Sequence, residues 1–276
     1  MKLYIGISAY LLQQVRLFHA IAESGFSVVL PPGESAKYQP LKEYFGVEFL
    51  YGDGGDYDLT GHISIDHATP STSLGNLSRP VVFPHAITEY CRSLWRHRRK
   101  FRFSFMGLVT EKREKVMETW IRTNLRKPEY VFPKAGAAAS RTRNRITALF
   151  GAGQNVQRQK IGDLLIWSSD RGRSFPVKSW HDEYFRTLSN SKFVLCPNGD
   201  FVWSYRFFES ILCGAIPVVE EGCPAYQGFR FYTMADAMGE LEWRQEDAEY
   251  NYALCTQRIT FPRQELIEHL NAMIGQ

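Results

Sequence analysis

Paired cysteines are absent from this chain. Its five, Cys91, Cys196, Cys213, Cys223 and Cys255, are scattered, odd in number and nowhere spaced as Cys-x-x-Cys. That argues against a disulfide framework or a cysteine-held zinc and fits a reducing cytoplasm. Long apolar runs are missing too: none approaches the ~20 residues that a membrane-spanning helix requires. The opening stretch from Met1 to Ser8 has neither the apolar core nor the small-residue cleavage site of a secretory leader. A soluble, cytoplasmic protein is therefore expected, in which the Asn76-Leu77-Ser78 sequon is coincidental. Nor does charge of one sign dominate, since 33 Lys and Arg stand against 29 Asp and Glu for a net +4. The small basic excess gathers in Arg92, Arg96, Arg98, Arg99, Lys100 and Arg102. Such a cluster reads as a solvated helix end, as a nucleic-acid or anionic-membrane patch, or as a field that draws in an anionic substrate.

What is present suits a well-filled core. The 276 residues are 44% hydrophobic and 14% aromatic, enough for one large or two modest domains. In the first part, short apolar strands are expected at Leu3 to Ile7, Phe26 to Leu30, Val47 to Tyr51, His62 to Ile65 and Pro80 to Phe83. Between them lie an amphipathic helix from Tyr10 to Ser24 and helical residues around Leu41 to Phe45. After the basic cluster the alternation restarts: strand Phe101 to Met106, turn at Gly107, helix Glu111 to Leu125, strand Leu164 to Trp167, helix Trp180 to Leu188. Residues 133–160 read as an excursion outside the core, Arg230 to Tyr232 as a late strand, and Pro262 to Ile274 as a closing helix. Strands alternating with helices imply parallel sheets covered on both faces. Two doubly wound, Rossmann-like α/β halves are expected, 1–98 and 99–261, meeting across a cleft in the arrangement called GT-B.

The richest stretch is Ser189 to Val219. It reads as strand (Phe193 to Cys196), a loop broken by Pro197 and Gly199, helix (Ser204 to Cys213), Gly214 as left-handed stop, and strand (Ile216 to Val219). Phe207, Phe208, Ile211 and Leu212 give the helix a buried face, with Arg206 and Glu209 three apart on the other side. That pair is either a surface salt bridge or a ligand site. A helix N-terminus with one guanidinium and one carboxylate suits a nucleotide diphosphate, the first two taking phosphates and the carboxylate taking ribose hydroxyls.

The order Ser-Lys-Phe-x-Leu-x-Pro-x-Gly, Ser-x-Arg-Phe-x-Glu, Gly-x-Ile-Pro-Val-Val resembles the signature of the exostosin-like glycosyltransferases of the GT47 type. Ser104-Phe105-Met106-Gly107 with Arg113 resembles the strand, glycine and arginine that open the nucleotide half of that family, and Asp66-His67 resembles an Asp-His pair that it carries early. The resemblance implies a UDP-sugar donor held by Gly107, Arg113, Asn198, Ser204, Tyr205, Arg206 and Glu209, and a glycan acceptor on the first half. It also implies that helix 262–276 crosses back onto that half. A small soluble microbial or large-algal-virus member is expected, with UDP-xylose as first donor to try and no nucleic-acid partner.

An inverting transfer needs a base on the acceptor side and positive charge at the leaving diphosphate. Asp66 is the first candidate base, followed by His67 or His85, with Glu89 also near a strand end. Retaining relatives of a common type place a second glutamate eight residues before the ribose-binding one, and here that position is Phe201, which favours inversion. No metal or other cofactor is expected. Two rival readings remain at this point. Asp56-Tyr57-Asp58 fits the Asp-x-Asp of a metal-dependent GT-A transferase, and the basic cluster fits a non-catalytic glycan- or nucleic-acid-binding module.

Overall fold

The computed structural model describes residues 1–132, 156–169, 171–236 and 238–275. The chain divides into two compact units: Met1–Tyr90 with Lys178–His181 and Thr256–Gln276, and Cys91–Val177 with Asp182–Cys255. The dividing points thus fall at Tyr90 and Thr256 rather than at 98 and 262, and four residues of the later chain join the first unit.

The first unit is built from β1 (Lys2–Tyr4), α1 (Leu12–Glu23), β2 (Ser27–Leu30), α2 (Ser35–Phe45), β3 (Leu50–Tyr51) and β4 (Tyr57–Asp58). These give a four-stranded, wholly parallel sheet in the order β3-β2-β1-β4, with Leu3 opposite Val28 on one side and Tyr57 on the other. Helix α1 starts two residues later than its apolar pattern suggests. The Ala9 amide is drawn to the Glu34 carboxylate, while Gln14 Oε1 accepts from the amides of Tyr10 and Leu11 and so caps the helix end. Next come β5 (Ile63–Asp66), β6 (Ser71–Leu74) and β7 (Leu77–Arg79), then α3 (His85–Ser93).

The middle of this unit corrects the expectation of an all-parallel half. Strands β5, β6 and β7 form a separate antiparallel sheet, with Ile63 opposite Leu74 and Leu74 opposite Leu77. Two signals favoured it. Ile63 and Ile65 alternate with Ser64 and Asp66, a one-face pattern, and the two residues Gly75-Asn76 are a hairpin connection. Pro80 to Phe83 belongs to no strand, although Val81, Val82 and Phe83 are fully buried. Their amides find other acceptors: Val82 N–H donates to Gln13 Oε1 and Phe83 N–H to the Ile259 carbonyl.

In the second unit follow β8 (Phe101–Leu108), α4 (Glu111–Asn124), β9 (Val156–Ile161), β10 (Leu164–Ser169), α5 (Asp182–Ser189), β11 (Ser191–Cys196) and α6 (Tyr205–Leu212). Strands β12 (Ile216–Val219) and β13 (Tyr232–Thr233) and helix α7 (Gln245–Ile259), which runs into the first unit, complete it. The six-stranded sheet runs β13-β12-β11-β8-β10-β9 and is parallel except for β9. Residues 156–160, expected outside the core, are part of β9, paired through Gly162 with β10; residues 133–155 of that expected excursion lie outside the described residues. Phe103 and Phe105 of β8, Phe193 and Leu195 of β11 and Trp120 of α4 form the heart of the apolar layer. Burying each such side chain is worth ~1.5–3 kcal/mol, which is why these strands read as apolar runs.

The closing helix, α8 (Arg263–Ile274), belongs to the first unit. There Arg79 pairs with Glu265 at 2.9 Å and His269 meets the Leu74 carbonyl at 2.9 Å. Among the described residues no helix is long and apolar enough to cross a membrane. All five cysteines are free, and all but Cys223 are buried.

Candidate functional site

In the second unit the strand order places several polar residues at one edge. The parallel strands β8, β11 and β12 all end there, so Gly107, Asn198 and Glu220 follow or close adjacent strands, and the loop after β11 delivers the first turn of α6 to the same edge. Arg206, in that first turn, is only 8% exposed. Its Nε–H donates to the Met106 carbonyl at 2.7 Å, its guanidinium lies 4.6 Å from the Phe105 ring centroid, and its Nη1 is buried without a hydrogen-bond partner. Gly107 makes this approach possible. Its φ of +151° is unfavourable for a side-chain-bearing residue, and a Cβ there would overlap Arg206 Nη2. Gly107, expected as a turn, is the penultimate residue of β8.

Arg113 comes to the same edge from the first turn of α4, whose N-cap is Thr110. Its Nε donates to the Asn198 carbonyl and its Nη1 to the Leu108 carbonyl, each at 2.9 Å. Burial, and after it the positive charge of Arg206, push its pKa down to about 10. It remains a cation at neutral pH, and the Arg113 and Arg206 guanidiniums donate to the Leu108 and Met106 carbonyls at the end of the same strand. Asn198 is buried: its N–H donates to Glu220 at 2.5 Å and its Nδ2 to Glu221 at 3.2 Å, while its Oδ1 has no hydrogen-bond partner. The Ser204 side chain does not cap α6, and its amide donates to the Tyr226 hydroxyl at 2.7 Å. Tyr205 is half-buried, its ring edge-on to Trp203 at 4.9 Å. A helix start, two like charges held together, and an arginine nitrogen and amide oxygen with no protein partner constitute a place for an anion bearing hydrogen-bonding groups.

Glu209 departs from the expectation of a charged, ligand-facing side of α6. The helix is buried on every side, and Glu209 is 1% exposed. It makes no ion pair with Arg206; instead the Tyr184 hydroxyl donates to its Oε2 at 2.6 Å and Arg173 Nη2 stands 3.7 Å from its Oε1. The sequence does not pair Tyr184 or Arg173 with Glu209, because one reads as a core-facing helix aromatic and the other sits in the irregular stretch between β10 and α5. The signature nevertheless carried a clue: a carboxylate inside an aromatic helix requires partners from elsewhere.

The candidate bases of the first unit stand on different elements. Asp66 ends β5 and is exposed; its carboxylate accepts from the Thr69 hydroxyl at 2.5 Å and the Ala68 amide at 2.8 Å, in that order of effect holding its pKa below the usual range. The adjacent His67 is half-buried, and burial lowers its pKa despite the Asp66 charge, so its ring is neutral at pH 7. His85 instead opens α3, its Nε2 2.8 Å from the Phe261 carbonyl. Together with Glu23, Glu89 and His19 it lines a cavity of about 290 Å³. That cavity also meets the ends of α1 and α2, hence the edge where β2 and β3 begin, opposite the edge to which the ligand rule points. Its Glu23 accepts from the amides of His85 and Ala86, and its pKa is raised by burial.

The two rival motifs have local partners. Asp56 accepts from the Lys2 amide at 2.7 Å and Asp58 from the Thr60 amide at 2.8 Å, so the first carboxylate ties the start of β4 to β1 and the second closes the turn after β4. Of the basic cluster, Arg92 pairs with Glu249 at 2.7 Å, Arg102 donates to the Met238 carbonyl, and Arg99 Nη1 donates to the carbonyls of Ser189, Ser191 and Cys213. Only Arg96, Arg98 and Lys100 of the six are exposed.

In open α/β sheets the edge where the parallel strands end, here carrying an unused donor and an unused acceptor, is where ligands are held. The family model described as the Exostosin GT47 domain matches residues 62–227, and the chain belongs to that family. None of the curated proteins matches this sequence. Among solved structures, one titled "Crystal structure of GtfA/B complex" is similar at 11% identity and a TM-score of 0.33, a likeness too distant to argue from. The match covers 90% of this chain and spans 44% of that one.

Proposed function

We propose that the protein is an inverting glycosyltransferase that moves a sugar from a UDP-sugar to a hydroxyl of a glycan acceptor without a metal. Membership of the exostosin GT47 family supports the reaction class. The observation that carries the donor reading is Arg206 Nη1, buried and without a partner beside the like charge of Arg113. Ligand-free, that pairing is unfavourable; a diphosphate would neutralise both guanidiniums and take the unused donor. As the anomeric bond breaks, negative charge grows on the departing phosphate, so the same two cations would favour the transition state over the bound donor. The helix start at Ser204 and Tyr205 and the Gly107 backbone complete the phosphate site, and Glu209 takes ribose hydroxyls.

The base would come from the first unit, where His67 now stands ahead of Asp66. An exposed carboxylate already accepting two hydrogen bonds is a weak proton acceptor, whereas a neutral imidazole beside it can take the acceptor's hydroxyl proton as the oxygen attacks. Turnover of a nucleotide-sugar panel, beginning with UDP-xylose and repeated with EDTA, tests the proposal. Transfer from a UDP-sugar that survives chelation is the expected result. Transfer that disappears on chelation and returns with a divalent cation would refute the metal-independent reading.

A further inference from the structure

We infer that Tyr184 is a positioning residue for the donor's ribose: it sets Glu209 in place through the hydrogen bond from its phenol oxygen. This rests on the proposed reading of Glu209 as the ribose-binding carboxylate. A carboxylate at 1% exposure cannot rely on water, so its orientation is set by protein donors. The Tyr184 hydroxyl donates to it at 2.6 Å, whereas the Arg173 guanidinium stands at 3.7 Å, beyond hydrogen-bond reach. Tyr184 is itself fixed. It lies in the first turn of α5, 5% exposed, with Phe185 edge-on at 5.2 Å and the Arg173 guanidinium 4.2 Å from its ring centroid. Burial and then the Glu209 charge raise its pKa well above 10, so the phenol keeps its proton and remains a donor at every working pH.

The geometry assigns the two carboxylate oxygens different tasks. Oε2 is held by Tyr184, and Oε1 faces the Arg173 side, where a ribose hydroxyl would share it with the guanidinium. Without the phenol oxygen Oε2 loses its 2.6 Å donor, the carboxylate can turn toward Arg173, and the hydroxyls lose their acceptor.

Calorimetric titration of the full chain with UDP and with 2′,3′-dideoxy-UDP tests this. Wild type should prefer UDP. Tyr184→Phe should weaken UDP about tenfold, the order expected for one hydrogen bond to a charged group, and leave dideoxy-UDP unchanged. Equal weakening toward both ligands, or none toward either, would overturn the inference. Glu209→Gln separates the two layers. If wild type binds both ligands equally, the ribose reading itself fails. If Glu209→Gln removes the preference and Tyr184→Phe keeps it, that reading stands and Tyr184 falls. Should Tyr184→Phe not fold, the double variant Tyr184→Phe/Glu209→Gln, which buries no under-partnered carboxylate, replaces it. Acting through Glu209 makes the double no weaker for UDP than Glu209→Gln alone, and a further loss would contradict that.

Discussion

Replacing Gly107 by alanine should damage UDP binding more than stability. The substitution adds a single methyl group at the end of β8. Its φ of +151° costs an L-residue ~1–3 kcal/mol, and the new Cβ would overlap Arg206 Nη2. Arg206 is the element that must give way, since the three atoms nearest the new Cβ all belong to its side chain. Moving the guanidinium breaks its 2.7 Å bond to the Met106 carbonyl, a further ~1 kcal/mol, but separates it from Arg113 and relieves repulsion. A net destabilisation of ~1–3 kcal/mol in urea unfolding is expected. Binding should suffer more, because Nη1 leaves the phosphate site altogether: one lost charged contact is ~1.5–3 kcal/mol, or about ten- to a hundredfold in Kd by calorimetry. Gly107→Ala with wild-type UDP affinity would refute the claim that this glycine exists to admit Arg206.

Other expectations test separate parts of the account. Arg206→Met should abolish UDP binding while leaving the ligand-free Tm within a few degrees, because it removes a buried charge that forms no ion pair among the described residues; a collapse of Tm would show that Arg206 is mainly structural. Glu34 concerns the first unit, where the Lys37, Ser8 and Ala9 hydrogen bonds overcome burial and hold its pKa below 4.5. A folded-state pKa below the unfolded one adds stability above about 4.5 that is lost as pH falls through the folded value, so Glu34→Gln and wild type should differ at pH 7 and converge in acid. A constant gap down to pH 2 would contradict this. Arg99→Ala, which leaves three carbonyls without their shared donor, should destabilise by about 3 kcal/mol and leave retention on heparin nearly unchanged. A large loss of salt-dependent retention would instead restore the basic-module reading. His67→Gln should spare UDP binding and abolish transfer, with Asp66→Asn less severe; normal turnover in the histidine variant would remove it as base.

Much of the second unit was legible because its elements obey local rules. Phe193 to Cys196 and Ile216 to Val219 are uniform apolar runs, as strands buried on both faces must be, and Gly214 stops α6 in the left-handed conformation at φ +72°. The surroundings of Glu209 were not legible, because Tyr184 reaches it from 25 residues away and nothing in a linear pattern pairs them. Helix α7 was missed for a different reason. Its buried side is made of Ala248, Asn251, Cys255 and Ile259, small or polar except the last, so its apolar stripe is faint against an acidic start. In the first unit, Val81 to Phe83 reads as a strand because burial is legible in composition, whereas the acceptor for each amide is not. The arginine cluster shows the same limit: a run of cations looks like a surface feature until the carbonyls around Arg99 are known.

The central claim is that Arg113 and Arg206 together receive the diphosphate of a nucleotide sugar. A crystal structure of the protein soaked with UDP tests it most directly. Phosphate oxygens are expected within hydrogen-bond distance of Arg206 Nη1 and the Arg113 guanidinium, at the start of α6. Well-ordered UDP bound elsewhere, with those two side chains unmoved and still unoccupied, would contradict it.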